Sequence, residues 1–173
     1  MHDKRLANLM GAFAVTVSDF VLEDATAAAG TSGSGAAALV VLSTAPGISV
    51  TELGRRVGLS QPAAARMVDS LEQRGLVERR GTLTRSVAVH LTRSGSNAAR
   101  HILGDRGGRL ADLAAALDER EQATLATLLG KLLTAAFEQA PDADRLCRLC
   151  DRAACVAEGA VCPVGEACRQ RYG

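Results

Sequence analysis

Two helix starts stand close together near the middle of this chain, and they constrain its fold more than any other feature. Ser49 is followed three residues later by Glu52. That is the spacing of a capping box, in which the hydroxyl accepts one unpaired amide and the carboxylate accepts another. The helix it opens, residues 50–57, stops at Gly58, a natural residue just past a helix end. Ser60 then caps a second helix with Pro62 in its first turn, where a missing N–H costs little. Across residues 61–73, Ala64, Val68 and Leu71 recur at helical spacing and predict one buried face. Arg74-Gly75 ends the helix. Leu76 to Arg80 and Val87 to Leu91 alternate as strands, joined by a turn from Gly81 to Ser86.

Two short helices followed by a strand, a turn and a strand predict a winged helix-turn-helix. The rest of the chain is read as helices around it. The first is expected from about Lys4 to Ala29, with Leu6, Met10, Phe13, Val17 and Phe20 on one face. Lys4 and Arg5 ahead of an apolar stretch, with Ala25-Thr26-Ala27 further on, superficially fit a secretory leader. Asn8, Asp19, Glu23 and Asp24 argue for an amphipathic helix instead, and no run is expected to span a membrane. Residues 31–35 read as a loop, followed by a helix to about Ser43 that Pro46-Gly47 ends. A helix from Thr92 or Ser94 to about Ala116 is weakened at Gly104, Gly107 and Gly108. Asp118 with Glu121 is a second capping box. The helix it opens carries Leu125, Leu128, Leu129, Leu132, Leu133, Ala136 and Phe137, and Pro141 closes it. The expected class is mainly α with a small β-hairpin. Residues 1–34 form an N-terminal dimerisation helix, 35–93 the DNA-binding domain, 94–140 C-terminal dimerisation helices and 141–173 a cysteine-rich tail.

Charge supports nucleic acid as the partner. The chain carries 20 Lys and Arg against 19 Asp and Glu, yet from Ser49 to Arg93 eight Arg face four acidic residues. A basic segment in a near-neutral chain is the footprint of a DNA-binding face. The second helix is slim on its outer side, where Ser60, Gln61, Pro62, Ala63, Arg66 and Met67 fall, and suits a major groove. Its N-terminus and Ser60 suit a phosphate. Gln61 suits an adenine edge, and Arg66 a guanine edge or a phosphate. Arg85 in the turn suits the minor groove. Arg55, Arg79 and Arg80 are candidate phosphate clamps.

These residues carry a family resemblance. The run Ser49-Val50-Thr51-Glu52-Leu53 through Val57-Gly58-Leu59-Ser60-Gln61, then Met67 through Arg79, and Leu91-Thr92-Arg93-Ser94-Gly95, resembles the MarR family of bacterial repressors. The family's wing usually reads Asp-Arg-Arg where this chain has Leu83-Thr84-Arg85, so the resemblance implies a wing contact by Arg85. It further implies a homodimer with interleaved first and last helices, working in the bacterial cytoplasm at the nucleoid, and often a phenolic effector. With so few aromatic residues the chain shows no signature of such a pocket. The two apolar helix faces ask independently for a covering copy. A dimer would place two reading heads about one helical turn apart on a near-palindromic double-stranded operator.

All five cysteines fall in the tail, as Cys147, Cys150, Cys155, Cys162 and Cys168. So few apolar residues accompany them that the tail needs a cross-link to order it. Three chemistries fit. Four thiolates at short spacing can close a tetrahedron around zinc, with Cys147 and Cys150 as a knuckle. Staggered spacing and Cys162-Pro163 loosely echo iron–sulfur ligation, and Arg145, Arg148 and Arg152 would offset the charge. Low-pKa thiols beside those arginines would suit redox sensing. Zinc stands first and an iron–sulfur cluster second. The ligands are expected to be Cys147, Cys150, Cys155 and Cys162, with Cys168 spare or an alternate. A thiol redox enzyme and a protein-interaction module are the rival classes. Against an enzyme, His2, His90 and His101 are scattered, and the glycines from Gly30 to Gly35 lack the lysine of a phosphate loop.

Overall fold

The computed structural model describes residues 2–81 and 87–173, apart from the side chains of 2–3 and 105–107. The expected wing residues Leu83, Thr84 and Arg85 lie outside the described residues. The chain runs α1 (His2–Ala29), α2 (Gly33–Thr44), β1 (Ile48–Ser49), α3 (Val50–Val57), α4 (Gln61–Gln73), β2 (Val77–Gly81), β3 (Val87–Leu91), α5 (Arg93–Ala114), α6 (Glu119–Gln139), α7 (Ala143–Leu146), α8 (Arg152–Cys155) and α9 (Pro163–Tyr172). The class is mainly helical with a winged helix-turn-helix, as expected.

The core gathers around α2, which is apolar on every side and buried from Gly35 to Leu42. The stretch 31–35, expected as a loop, is instead the entry to this helix. Ser32 caps it by accepting from the Gly35 amide at 3.2 Å. A Cβ on Gly35 would stand 2.5 Å from the Thr31 hydroxyl, so this glycine serves close packing rather than flexibility. α3 crosses α4 so tightly that a Cβ on Gly54 would stand 2.5 Å from that of Ala64. Ala64, Val68 and Leu71 are buried as their spacing predicts, and Met67, expected on the outer side, joins them.

β2 and β3 pair antiparallel, with Val77 opposite Leu91 and Gly81 opposite Val87. Sequence reasoning missed β1, whose Ile48 pairs with Val89 on the other side of β3. Two residues are too few to show alternation. The base of the hairpin is tied to α5: the Thr92 hydroxyl donates to the Gly75 carbonyl at 2.6 Å and accepts from the Gly95 amide at 3.0 Å.

α1 packs against α5 and α2. Arg109 lies 3.8 Å above the Phe20 ring and reaches Asp24 at 3.0 Å and Glu23 at 3.2 Å. One expectation is corrected here: Lys4–Ala29 is long and apolar enough, by length and composition, to cross a membrane. The helix touches α5 and buries Ala25 and Ala29 toward its end, whereas residues 4–16 are exposed, among them Leu6, Leu9, Met10, Phe13 and Val15. α6 buries Phe137 and leaves Leu128, Leu129, Leu132 and Leu133 exposed. Its expected capping box is present in full: Asp118 accepts from the Arg120 and Glu121 amides, and Glu121 accepts from the Asp118 amide at 2.9 Å.

The tail departs from expectation by having a small core of its own. α9 packs on the end of α6, and Phe137, Val164 and Ala167 are buried together with Cys147, Cys162 and Cys168 against them. The missing apolar mass comes from α6, which a reading of the tail alone does not count.

Candidate nucleic-acid interface

α4 is held by its buried face and presents its N-terminus. Ser60 occupies the capping position, but its hydroxyl makes no capping bond. Its side chain and the first amides of α4 are therefore open to a phosphate, which the positive end of a helix favours. Gln61, Pro62 and Arg66 are exposed and Ala63 is half-buried. Arg66 has no ion-pair or hydrogen-bond partner among the described residues. It is the cation on this helix left for an outside anion.

Arg55, Arg79 and Arg80, also expected at DNA, pair with carboxylates of the protein itself. Arg79 reaches Asp69 at 2.6 Å and also pairs with Glu72, whose carboxylate accepts from the Arg79 backbone amide at 3.0 Å. Together these bonds brace β2 against α4. The pairing holds the Arg79 guanidinium above its ordinary pKa, against the opposing effect of burial. Arg80 pairs with Glu78 on its own strand. Arg55 pairs with Glu52 at 2.8 Å and with Asp144 of the tail at 2.5 Å. The capping box expected at Ser49 is only half formed. Ser49 accepts from the Glu52 amide at 3.2 Å, but the Glu52 carboxylate is taken by Arg55 and by Arg56 at 2.7 Å. Those two guanidiniums pull the Glu52 carboxyl down to about 2.

This geometry has relatives. Residues 29–84 match the model of the MarR family. Among solved structures it is similar to the YusO protein of Bacillus subtilis, at 23% identity over 78% of this chain and 99% of that one, with a TM-score of 0.67. MepR, a transcription regulator of the Staphylococcus aureus multidrug efflux pump MepA, gives 16% identity over 75% and 97%, with a TM-score of 0.67. The Mycobacterium tuberculosis MarR family protein Rv2887 gives 25% identity over 75% and 95%, with a TM-score of 0.62. No curated protein matches the chain. The match over residues 29–84 favours a DNA-binding transcription regulator over a thiol redox enzyme.

The tail adds a cavity beside the winged helix-turn-helix. It measures about 460 Å3, and its walls hold Cys147, Cys150, Cys155 and Cys162 but not Cys168. The Cys147 thiol interacts most strongly with that of Cys150, and the Cys155 thiol with those of Cys162 and Cys150. The Gly165 amide donates to the Cys162 sulfur at 3.3 Å. Arg56, Arg148, Arg152 and Arg169 also line the cavity, and α2 contributes an apolar wall through Val40 and Val41. Among the described residues no disulfide joins the five cysteines. As placed, no three His, Cys, Asp or Glu side chains among the described residues converge as a closed set of metal ligands. The Cys150 neighbour and burial push the Cys147 thiol well above its ordinary range. Burial first, and then its thiol neighbours, push Cys155 up to about 11. Both move away from the low-pKa thiolate that redox sensing requires.

Proposed function

We propose that the chain is a homodimeric transcription repressor of the bacterial cytoplasm, bound at the nucleoid to a near-palindromic operator. The observation that carries this reading is the open N-terminus of α4, with Ser60, Gln61 and Arg66 exposed beside a winged sheet. Arg66 carries the groove or phosphate contact, and Arg85 the wing contact. The second copy covers the exposed leucines of α6 and the apolar face of α1, which α1 and α6 do not cover for one another within one chain.

The tail is read as a metal site on Cys147, Cys150, Cys155 and Cys162. What supports it is the donor set: four thiols on one cavity wall, with arginines around them to offset thiolate charge. Zinc suits four thiolates first, and an iron–sulfur cluster is the other outcome.

The test of the DNA reading is duplex binding across a salt series. Arg66→Ala is expected to cost about 1–3 kcal/mol if it reads a base, or to reduce the salt slope by about one if it meets a phosphate. A wild-type protein that binds no duplex, or an Arg66→Ala variant indistinguishable from it, would leave a protein-interaction module as the better reading. The metal reading is tested on protein purified without oxygen, by its absorption spectrum and by iron, zinc and sulfide per chain. Iron with acid-labile sulfide identifies a cluster, and about one zinc per chain a zinc site.

A further inference from the structure

The tail is docked on the reading head of its own chain. α7 packs on α3. Asp144 reaches Arg55 at 2.5 Å and Arg56 at 3.8 Å, and Leu149 packs against the core that holds α3 and α4. These contacts bring α7 to the turn between the two helices. Gly58 is the left-handed residue that ends α3. The Arg145 side chain lies against it, with Nε 3.4 Å and Cζ 3.7 Å from where a Cβ would stand. Ser60, the cap residue of α4, follows two residues later, so its Cα is at most about 7.6 Å from that of Gly58.

Arg145 is fixed in its backbone and open in its side chain. Its amide donates to the Asp142 carboxylate at 3.0 Å, and its carbonyl accepts from the Arg148 guanidinium at 2.7 Å. The residue is exposed, and among the described residues its guanidinium has no carboxylate partner. The carboxylates nearby are engaged elsewhere. Glu52, Asp142 and Asp144 each pair with Arg55 or Arg56, so their charge is met within the protein. Docking has already ordered the Arg145 backbone, and a contact made from here costs only side-chain freedom.

We propose that Arg145 is a further DNA contact, a guanidinium of the tail that takes a backbone phosphate next to the start of α4. This rests on the reading of the chain as a DNA-binding protein and extends its interface onto the tail. A duplex strand carries one phosphate per roughly 3.4 Å of helix axis, so a cation beside Gly58 meets the phosphate flanking the one at Ser60. Arg66 works from within α4, and Arg145 grips the backbone from outside it. A phosphate contact adds affinity and fixes register without reading bases. The tail therefore widens the footprint on DNA and leaves the preferred sequence unchanged.

The experiment uses the full-length chain and a duplex recovered from a random-sequence library, with affinity followed across a salt series. Arg145→Gln keeps part of the stem against Gly58 and removes the charge. It is expected to lower the slope of log affinity against log salt by about 0.9 per chain, and to leave the ranking of single-base variants of the duplex unchanged. Arg145→Lys is expected to keep the wild-type slope. Arg171→Gln, which removes an exposed charge from the last turn of α9 instead, is expected to keep it too. A wild-type slope in Arg145→Gln overturns the contact while leaving the DNA-binding reading in place. An equal fall in Arg171→Gln also overturns it, because the tail then acts through its net charge and not through a placed group. A fall that Arg145→Lys shares overturns it as well, because the residue then acts through packing. A wild type that binds no duplex overturns the DNA-binding reading, and the contact with it.

Discussion

Arg55, Arg66, Arg79 and Arg80 look alike in sequence, and the structure separates them by what they touch. Arg66 is open, whereas Arg79 is held by Asp69 and Glu72. Arg79→Met is therefore expected to lower stability by on the order of 1 kcal/mol while leaving the salt slope of duplex binding unchanged; urea unfolding and the binding series check the two halves. Glycines divide in the same way. A Cβ on Gly95 would lie 1.9 Å from the Leu76 carbonyl oxygen, so Gly95→Ala forces α5 away from the hairpin. The expected loss is about 1–3 kcal/mol in urea unfolding. Glu52 supplies a pH dependence. Its carboxyl, held at about 2 against an ordinary 4.5, favours the folded state when ionised. That contribution is fully present above pH 4.5 and is lost as pH falls toward 2. Melting temperatures across this window should fall more steeply for wild type than for Glu52→Gln.

The elements of the reading head were legible because their signals are local. Caps, a glycine stop and two alternating runs each act within a few residues, and α3, α4, β2 and β3 lie where those signals place them. Three features were not legible. β1 has two residues and exists only because Val89 and Ala88 offer a free strand edge. The entry to α2 reads as a loop from Gly33, Ser34 and Gly35, yet close packing against Thr31 and Leu22 calls for glycine there. The capping box at Ser49 is half formed because Arg55 and Arg56 outbid the backbone amide for the Glu52 carboxylate. A full charge binds a carboxylate more strongly than a neutral N–H does.

Over the whole molecule, apolar residues of α1 and α6 stay open in one chain. Leu129→Asp combined with Leu133→Asp is expected to convert a dimer into a species of 17.9 kDa, because a buried unpaired charge opposes association. Sedimentation checks it. A wild-type chain that already sediments as a monomer would remove the second copy from the functional reading. The same variant should bind a two-half-site duplex more weakly, since each head then binds alone.

The sequence by itself determined the winged helix-turn-helix, the helices around it and the confinement of all thiols to the tail. These depend on periodicity and capping, which act over a few residues of chain. Only the tertiary structure decided which arginines remain free, which four thiols share a cavity, and that the tail docks on α3. Those outcomes depend on groups far apart in sequence, such as Arg55 and Asp144, and an ion pair between them forms only once packing has brought their elements together.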